Sequence, residues 1–182
     1  MTRQVWQYWR GGLAENVCNS LIQRAENKYP LQEAETFGGH ASDVRTSKIR
    51  FCTGDADIEN LLFNFVNQAA QIFGVSVNKK ADIQYTEYHA SEGGHYNWHH
   101  DINWNRDDGY DRKLSITVQL SHDNDYTGGD FTFNEVENPN ALEVRQRGTV
   151  LIFPSYLQHK VSPVISGVRR SMVAWFEGPP WR

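Results

Sequence analysis

Between Lys113 and Ser121, Leu114, Ile116, Val118 and Leu120 alternate strictly with Ser115, Thr117, Gln119 and Ser121. Successive side chains on a strand point to opposite faces, so this stretch specifies a strand with one apolar and one polar face. Such a strand has to bury its apolar side against another layer. Its neighbours in the chain read the same way. Ile83–His89, Phe131–Phe133 and Ser171–Glu177 are short β runs, and Thr149–Phe153 is a continuous apolar run that fits burial on both faces.

Before Gly74 the dominant period is helical. Val17, Leu21, Ile22 and Ala25 recur at helical spacing between Leu13 and about Lys28, and Asp55 is placed to cap a second helix. In that helix Ile58, Leu61, Leu62, Phe65, Val66, Ala69, Ile72 and Phe73 form one wide apolar face that Gly74 ends. Two strands accompany the helices, at Val5–Trp9 and Val44–Phe51, with a polar loop over residues 30–42. Helices followed by about eight short strands predict an α+β, mainly β fold: a jelly roll, or double-stranded β-helix, braced by N-terminal helices. No repeat or linker divides the chain. The expectation is one domain over 1–182, with helical support to about residue 80 and a jelly-roll core over about 81–178.

Composition narrows the partners. The net charge is −4 and no Lys/Arg run occurs, so nothing electrostatic points to nucleic acid or an anionic membrane. The two cysteines, Cys18 and Cys52, read as buried thiols and fit a reducing compartment. Neither a signal-peptide core nor a stretch of about 18 apolar residues is present, which predicts a soluble, cytoplasmic protein. Oligomeric state is not legible.

The chemistry concentrates in Tyr96-Asn97-Trp98-His99-His100-Asp101. His99 and Asp101 stand two apart, so one strand end can offer an imidazole and a carboxylate to one metal, with His100 facing away. His159, where an apolar strand runs out, offers a third ligand. Two histidines and one carboxylate on one face of a metal are the arrangement of non-haem Fe(II) oxygenases. In a jelly roll, strands on opposite sheets are expected to bring His159 to the other two. Thr117 and Gln119, on the polar face of their strand, are candidate donors behind the ligands. His40, His89, His95, His100 and His122 are read as solvent-facing or hydrogen-bonded, and Asp107, Asp108 and Asp111 as a solvated loop.

After His159 the chain continues with Pro163-Val164, Gly167 and Arg169. With His99, Asp101 and His159 this pattern resembles the 2-oxoglutarate and Fe(II)-dependent dioxygenases, specifically their prolyl 4-hydroxylase-like branch. Tyr88, Tyr96, Gly128-Gly129-Asp130-Phe131, Gly148-Thr149-Val150-Leu151-Ile152-Phe153-Pro154 and Arg45-Thr46-Ser47 extend the likeness over about residues 44–177. The loop after Tyr88 is about two residues longer than in that family. Collagen-type and plant members usually carry lysine where this chain has Arg169; oxygen-sensing and bacterial members carry arginine.

The resemblance implies Fe(II) held by His99, Asp101 and His159, with no catalytic side chain beyond the metal centre. It implies 2-oxoglutarate as cosubstrate, its far carboxylate bound by Arg169 and Tyr88, with O2 consumed, succinate and CO2 released and ascorbate as reductant. Arg45, Trp98 and Trp104 are the implied substrate contacts, gripping a proline-containing peptide or protein. The same oxygenase chemistry on a free amino acid, another side chain or a small metabolite is the first alternative. A non-catalytic jelly-roll binding module is the second.

Overall fold

The strand that carries the alternation lies inside an eight-stranded antiparallel sheet. In the computed structural model, which describes residues 4–35 and 43–182, the elements run in order. They are β1 (Gln7–Trp9), α1 (Glu15–Lys28), β2 (Gln32–Glu33), β3 (Arg45–Thr46), β4 (Lys48–Phe51), α2 (Ala56–Phe73), β5 (Ala81–His89) and β6 (His95–His99). There follow β7 (Asp111–Gln119), β8 (Tyr126–Gly128), β9 (Phe131–Phe133), α3 (Ala141–Arg145), β10 (Val150–Pro154), β11 (His159–Val161) and β12 (Val164–Gly178). The larger sheet has the order β1-β10-β7-β12-β5-β4-β2, with β8 paired to β12. The smaller is β3-β6-β11-β9.

The apolar face of β7 does what its pattern requires. Leu114, Ile116 and Val118 join Ile83 and Tyr85 of β5 and Met172, Ala174 and Phe176 of β12 in one core against the two long helices. The helices reach it with Cys18, Leu21 and Ala25 of α1 and Ile58, Leu62, Val66 and Ala69 of α2. Each fully buried Leu, Ile or Val there contributes about 1.5–3 kcal/mol. Asp55 caps α2 through Ile58 N and Gly74 ends it at φ 66°, as expected from the sequence. Ile72 is exposed instead of joining the apolar face.

Asp55 also ties the helices together. Its buried carboxylate accepts from Arg24 Nε at 2.6 Å and Tyr29 Oη at 2.7 Å, with Lys28 Nζ at 3.2 Å. Burial opposes ionisation, but Arg24, Tyr29 and Lys28 outweigh it and hold the carboxyl well below the usual range.

Three expectations change. Val44–Phe51 is two strands in two sheets: β3 pairs with β6, and β4 pairs with β5. The chain crosses at buried Ser47, whose carbonyl accepts from Ala34 N. Within the predicted loop, Gln32–Glu33 pairs with β4, while residues 36–42, including Gly38, Gly39 and His40, lie outside the described residues. The strands number twelve among the described residues, because pieces of two or three residues are too short to display a period. Segments before residue 80 thus build sheet as well as helical support. Among the described residues no helix is long and apolar enough to cross a membrane.

Candidate metal centre

The polar face of the larger sheet and the inner face of the smaller one line a partly open cavity. Ser115 and Thr117 of β7, Gln84, Thr86 and Tyr88 of β5, and Arg169, Ser171, Val173 and Trp175 of β12 line one side. Tyr96, His99, Phe131, His159 and Val161 line the other.

His99 and His159 are direct partners on adjacent strands, β6 and β11, of the same sheet. They do not meet across two sheets, as the sequence suggested. The carboxylate makes the crossing instead. Asp101, past the end of β6, donates its N–H to the Ser155 carbonyl at 3.0 Å and accepts at Oδ2 from Ser115 Oγ of β7 at 2.6 Å. Ser155 Oγ lies 2.9 Å behind Ser115 Oγ. The Asp101 oxygens stand 3.6 Å from His99 Nε2 and 3.5 Å from His159 Nε2, and the three ligand atoms fall within 4.8 Å of one another.

Tyr96 and His99 are three apart, so strict alternation would put them on opposite faces. A bulge removes the conflict: Val161 pairs with Tyr96 and His159 with His99, so Asn97 and Trp98 together oppose Lys160 alone. Both rings then face inward, stacked with centroids 3.4 Å apart.

The donor set suits a divalent metal. His99 Nδ1 donates to the Asn97 carbonyl at 2.7 Å and His159 Nδ1 to that of Leu157 at 2.9 Å, so both Nε2 lone pairs remain for a metal. Burial and the nearby His159 push the His99 pKa down to about 3, which keeps its imidazole neutral. Burial alone would raise the Asp101 carboxyl, but His159, His99 and the Ser115 hydroxyl win and lower it. Two imidazoles and one carboxylate open onto a cavity are a fit for Fe(II) with positions to spare.

Arg169 and Tyr88 are register partners on β12 and β5, with the guanidinium 5.7 Å from the phenol ring centre. Arg169 is 5% exposed. Gly129 makes room for it, and Gly167 lets the chain before it pass close to Asp125. A Cβ on Gly129, at φ 63°, would stand 3.0 Å from Arg169 Cδ, and one on Gly167, at φ 72°, would lie 1.9 Å from the Asp125 carbonyl oxygen. Arg170 faces the other way, toward Glu26 and Glu87 on the helix side.

Arg45 enters the cavity from β3, its guanidinium 4.5 Å above the Tyr96 ring. Trp98 and Trp104 do not line it. Trp98, next to inward His99, is 36% exposed with Lys160 over its ring, and Trp104 is 65% exposed in the loop before β7. Arg106 holds that loop to Asp108 and to Glu177. Trp175 lines the cavity instead, a residue whose period-2 spacing from Arg169 was available in the sequence. Ser115 holds Asp101, the part expected of Thr117 and Gln119; Gln119 donates to Tyr126 Oη instead. Among the described residues the triad is the one group of three or more His, Cys, Asp or Glu able to share a metal.

Known proteins resemble this chain in sequence and fold. The family model of the 2OG-Fe(II) oxygenase superfamily matches residues 83–177, just over half of the chain. The chain belongs to that superfamily. As a member it is an Fe(II)- and 2-oxoglutarate-dependent oxygenase. A PKHD-type hydroxylase of Synechococcus sp. (strain CC9311) is 28% identical over 171 residues, covering 91% of this chain and 74% of the relative. Among solved structures, a viral collagen prolyl hydroxylase from Paramecium Bursaria Chlorella virus-1, in complex with 2OG, has a TM-score of 0.70 at 19% identity. It covers 96% of this chain and 97% of its own. A prolyl hydroxylase from Trichoplax adhaerens, in complex with a hypoxia inducible factor peptide fragment, reaches 0.70 at 17%, covering 94% and 82%. At those identities the structures speak to the fold.

Proposed function

We propose that the protein hydroxylates a prolyl residue of a peptide or protein, consuming 2-oxoglutarate and O2 and releasing succinate and CO2. The observation that carries the reading is one cavity joining the triad to a buried Arg169, with a second lobe opening beside Asp101. The likeness to a PKHD-type hydroxylase and to prolyl hydroxylase structures supports proline as the target.

His99, Asp101 and His159 hold the metal, and Ser115, backed by Ser155, fixes which Asp101 oxygen is free to bind it. Arg169 receives the far carboxylate of 2-oxoglutarate in its planar fork, and Tyr88 donates to the same group. Phe131, Phe153 and Val161 keep water from that end. Fe(II) held there would supply O2 activation for the hydroxylation, with 2-oxoglutarate as the co-oxidised cosubstrate and ascorbate as the metal's reductant. Trp175 and Phe51, with Arg45, line the lobe that receives the substrate and take the aromatic part assigned from sequence to Trp98 and Trp104. The free thiols Cys18 and Cys52 support a reducing, cytoplasmic setting.

The test is mass spectrometry on proline-containing peptides incubated with the protein, Fe(II), ascorbate, 2-oxoglutarate and air. One added oxygen on proline is expected, absent in His99→Ala. In Arg169→Gln the 2-oxoglutarate requirement should rise about 10- to 100-fold, the loss of one charged hydrogen-bonded pair. Succinate release with no oxygen gained by any peptide would move the substrate to a free amino acid, another side chain or a small metabolite. No succinate at all would leave the non-catalytic module.

A further inference from the structure

Arg45 and Arg169 are the two buried arginines among the described residues, 8% and 5% exposed. Arg24, Arg106, Arg112, Arg145, Arg147 and Arg170 each pair with a carboxylate. Arg45 and Arg169 pair with none among the described residues, and residues 1–3 and 36–42 contain no Asp or Glu. A buried guanidinium without a counter-charge is costly. For Arg169 the cosubstrate carboxylate supplies that charge. For Arg45 nothing assigned so far does.

The surroundings of Arg45 meet only part of its need. Its Nε donates to Ser47 Oγ at 2.8 Å, and its charge lies over the Tyr96 ring, which itself stacks on His99. The two terminal nitrogens have no hydrogen-bond partner among the described residues, and they form the fork that matches a carboxylate. Arg45 borders the main cavity and also a second, more open lobe, lined further by Phe51, Gln84, Arg112 and Trp175, with Glu35 at its exposed rim. Arg112 in that lobe is already balanced by Asp82 at 3.1 Å. Both unbalanced cations border the main cavity, but of the two only Arg45 borders the second lobe, which suits two different molecules.

Building on the proposed function, we propose that Arg45 binds a carboxylate of the substrate itself, close to the carbon that is hydroxylated. One aromatic ring separates the guanidinium from a metal ligand, and a residue spans about 3.5 Å, so the acid lies on the reacting residue or within about two residues of it. Two sources offer this group. One is an Asp or Glu side chain beside the proline; the other is the main-chain carboxylate of a C-terminal or free proline.

The test compares acids with their amides. Protein loaded with Mn(II) and 2-oxoglutarate is titrated with N-acetylated peptides carrying Asp-Pro or Pro-Asp, with the matching Asn peptides, with peptides ending in proline as free acid or amide, and with free proline. Paramagnetic relaxation of the ligand protons reads binding beside the metal without turnover. Acid forms should bind about tenfold or more tightly than amides in at least one arm, and that arm names the source. Arg45→Gln should erase the preference and Arg45→Lys keep part of it. Equal binding of every acid and amide pair would overturn the proposal. So would a preference that survives Arg45→Gln, or a loss in that variant of 2-oxoglutarate affinity instead. If Arg45→Gln does not fold, the wild-type pairs and Arg45→Lys decide. Acid preference without oxygen gain on proline keeps this proposal and overturns the prolyl reading; oxygen gain without acid preference does the reverse.

Discussion

The two faces of the larger sheet are made by the same strands and do different work. On the helix side β5, β7 and β12 present Ile83, Leu114, Ile116, Met172 and Phe176 to α1 and α2. On the cavity side, one residue away in each strand, they present Gln84, Thr86, Ser115, Thr117, Arg169 and Ser171. The first face is apolar and satisfied by packing; the second holds buried polar groups that a ligand completes. Stability and function are thus separated by the pleat of the sheet, and a one-residue slip in register would exchange them.

This separation can be broken from either face. The largest effect expected is His99→Ala: loss of one of three metal ligands should cut turnover by about a thousandfold or more, since the reaction depends on the metal. The melting temperature of the metal-free protein should hold or rise, because functional polar sites are maintained against stability. Kinetics and calorimetry on the same preparation check both halves.

Leu62→Ala attacks the other face. It removes a fully buried side chain of α2 and should cost about 2–5 kcal/mol in denaturant unfolding, with metal affinity of the folded fraction unchanged.

Asp55→Asn should cost about 2–3 kcal/mol, by weakening charged hydrogen bonds between the helices. The folded-state carboxyl pKa lies below the ordinary value, so this contribution is complete above about pH 5. It is lost as pH falls through the ordinary carboxylate range toward the depressed value. Acid unfolding of wild type should therefore be steeper than that of Asp55→Asn, and a pH-independent difference would refute the assignment.

Ser115→Ala sharpens the boundary with the smallest change. It should weaken Mn(II) binding about 10- to 100-fold through Asp101 while shifting thermal stability little. Unchanged affinity would show that Asp101 needs no support from β7.

The alternation of β7 and the helical faces were legible because each is a local pattern repeated over many residues. His99, Asp101, His159 and Arg169 were legible through their spacing along strands and their resemblance to a known family. What escaped depends on where separate strands meet. The crossing at Ser47, which splits Val44–Phe51 and aims Arg45 inward, follows from pairing with β6 and β5, which no local pattern records. The bulge at Asn97 and Trp98 follows from the register with β11, and it turns Tyr96 inward onto His99. Ser115 could have been preferred to Thr117 only by knowing that Asp101 comes to rest beside it.

The most direct measurement is anaerobic visible absorbance on adding Fe(II) and then 2-oxoglutarate to the purified protein. Chelation of the keto acid by iron at the triad should produce a charge-transfer band in wild type. The band should be missing in His99→Ala and should require more 2-oxoglutarate in Arg169→Gln. A wild-type protein that binds Fe(II) but develops no band, or a band that persists without His99, would contradict the assignment of the cavity face to this chemistry.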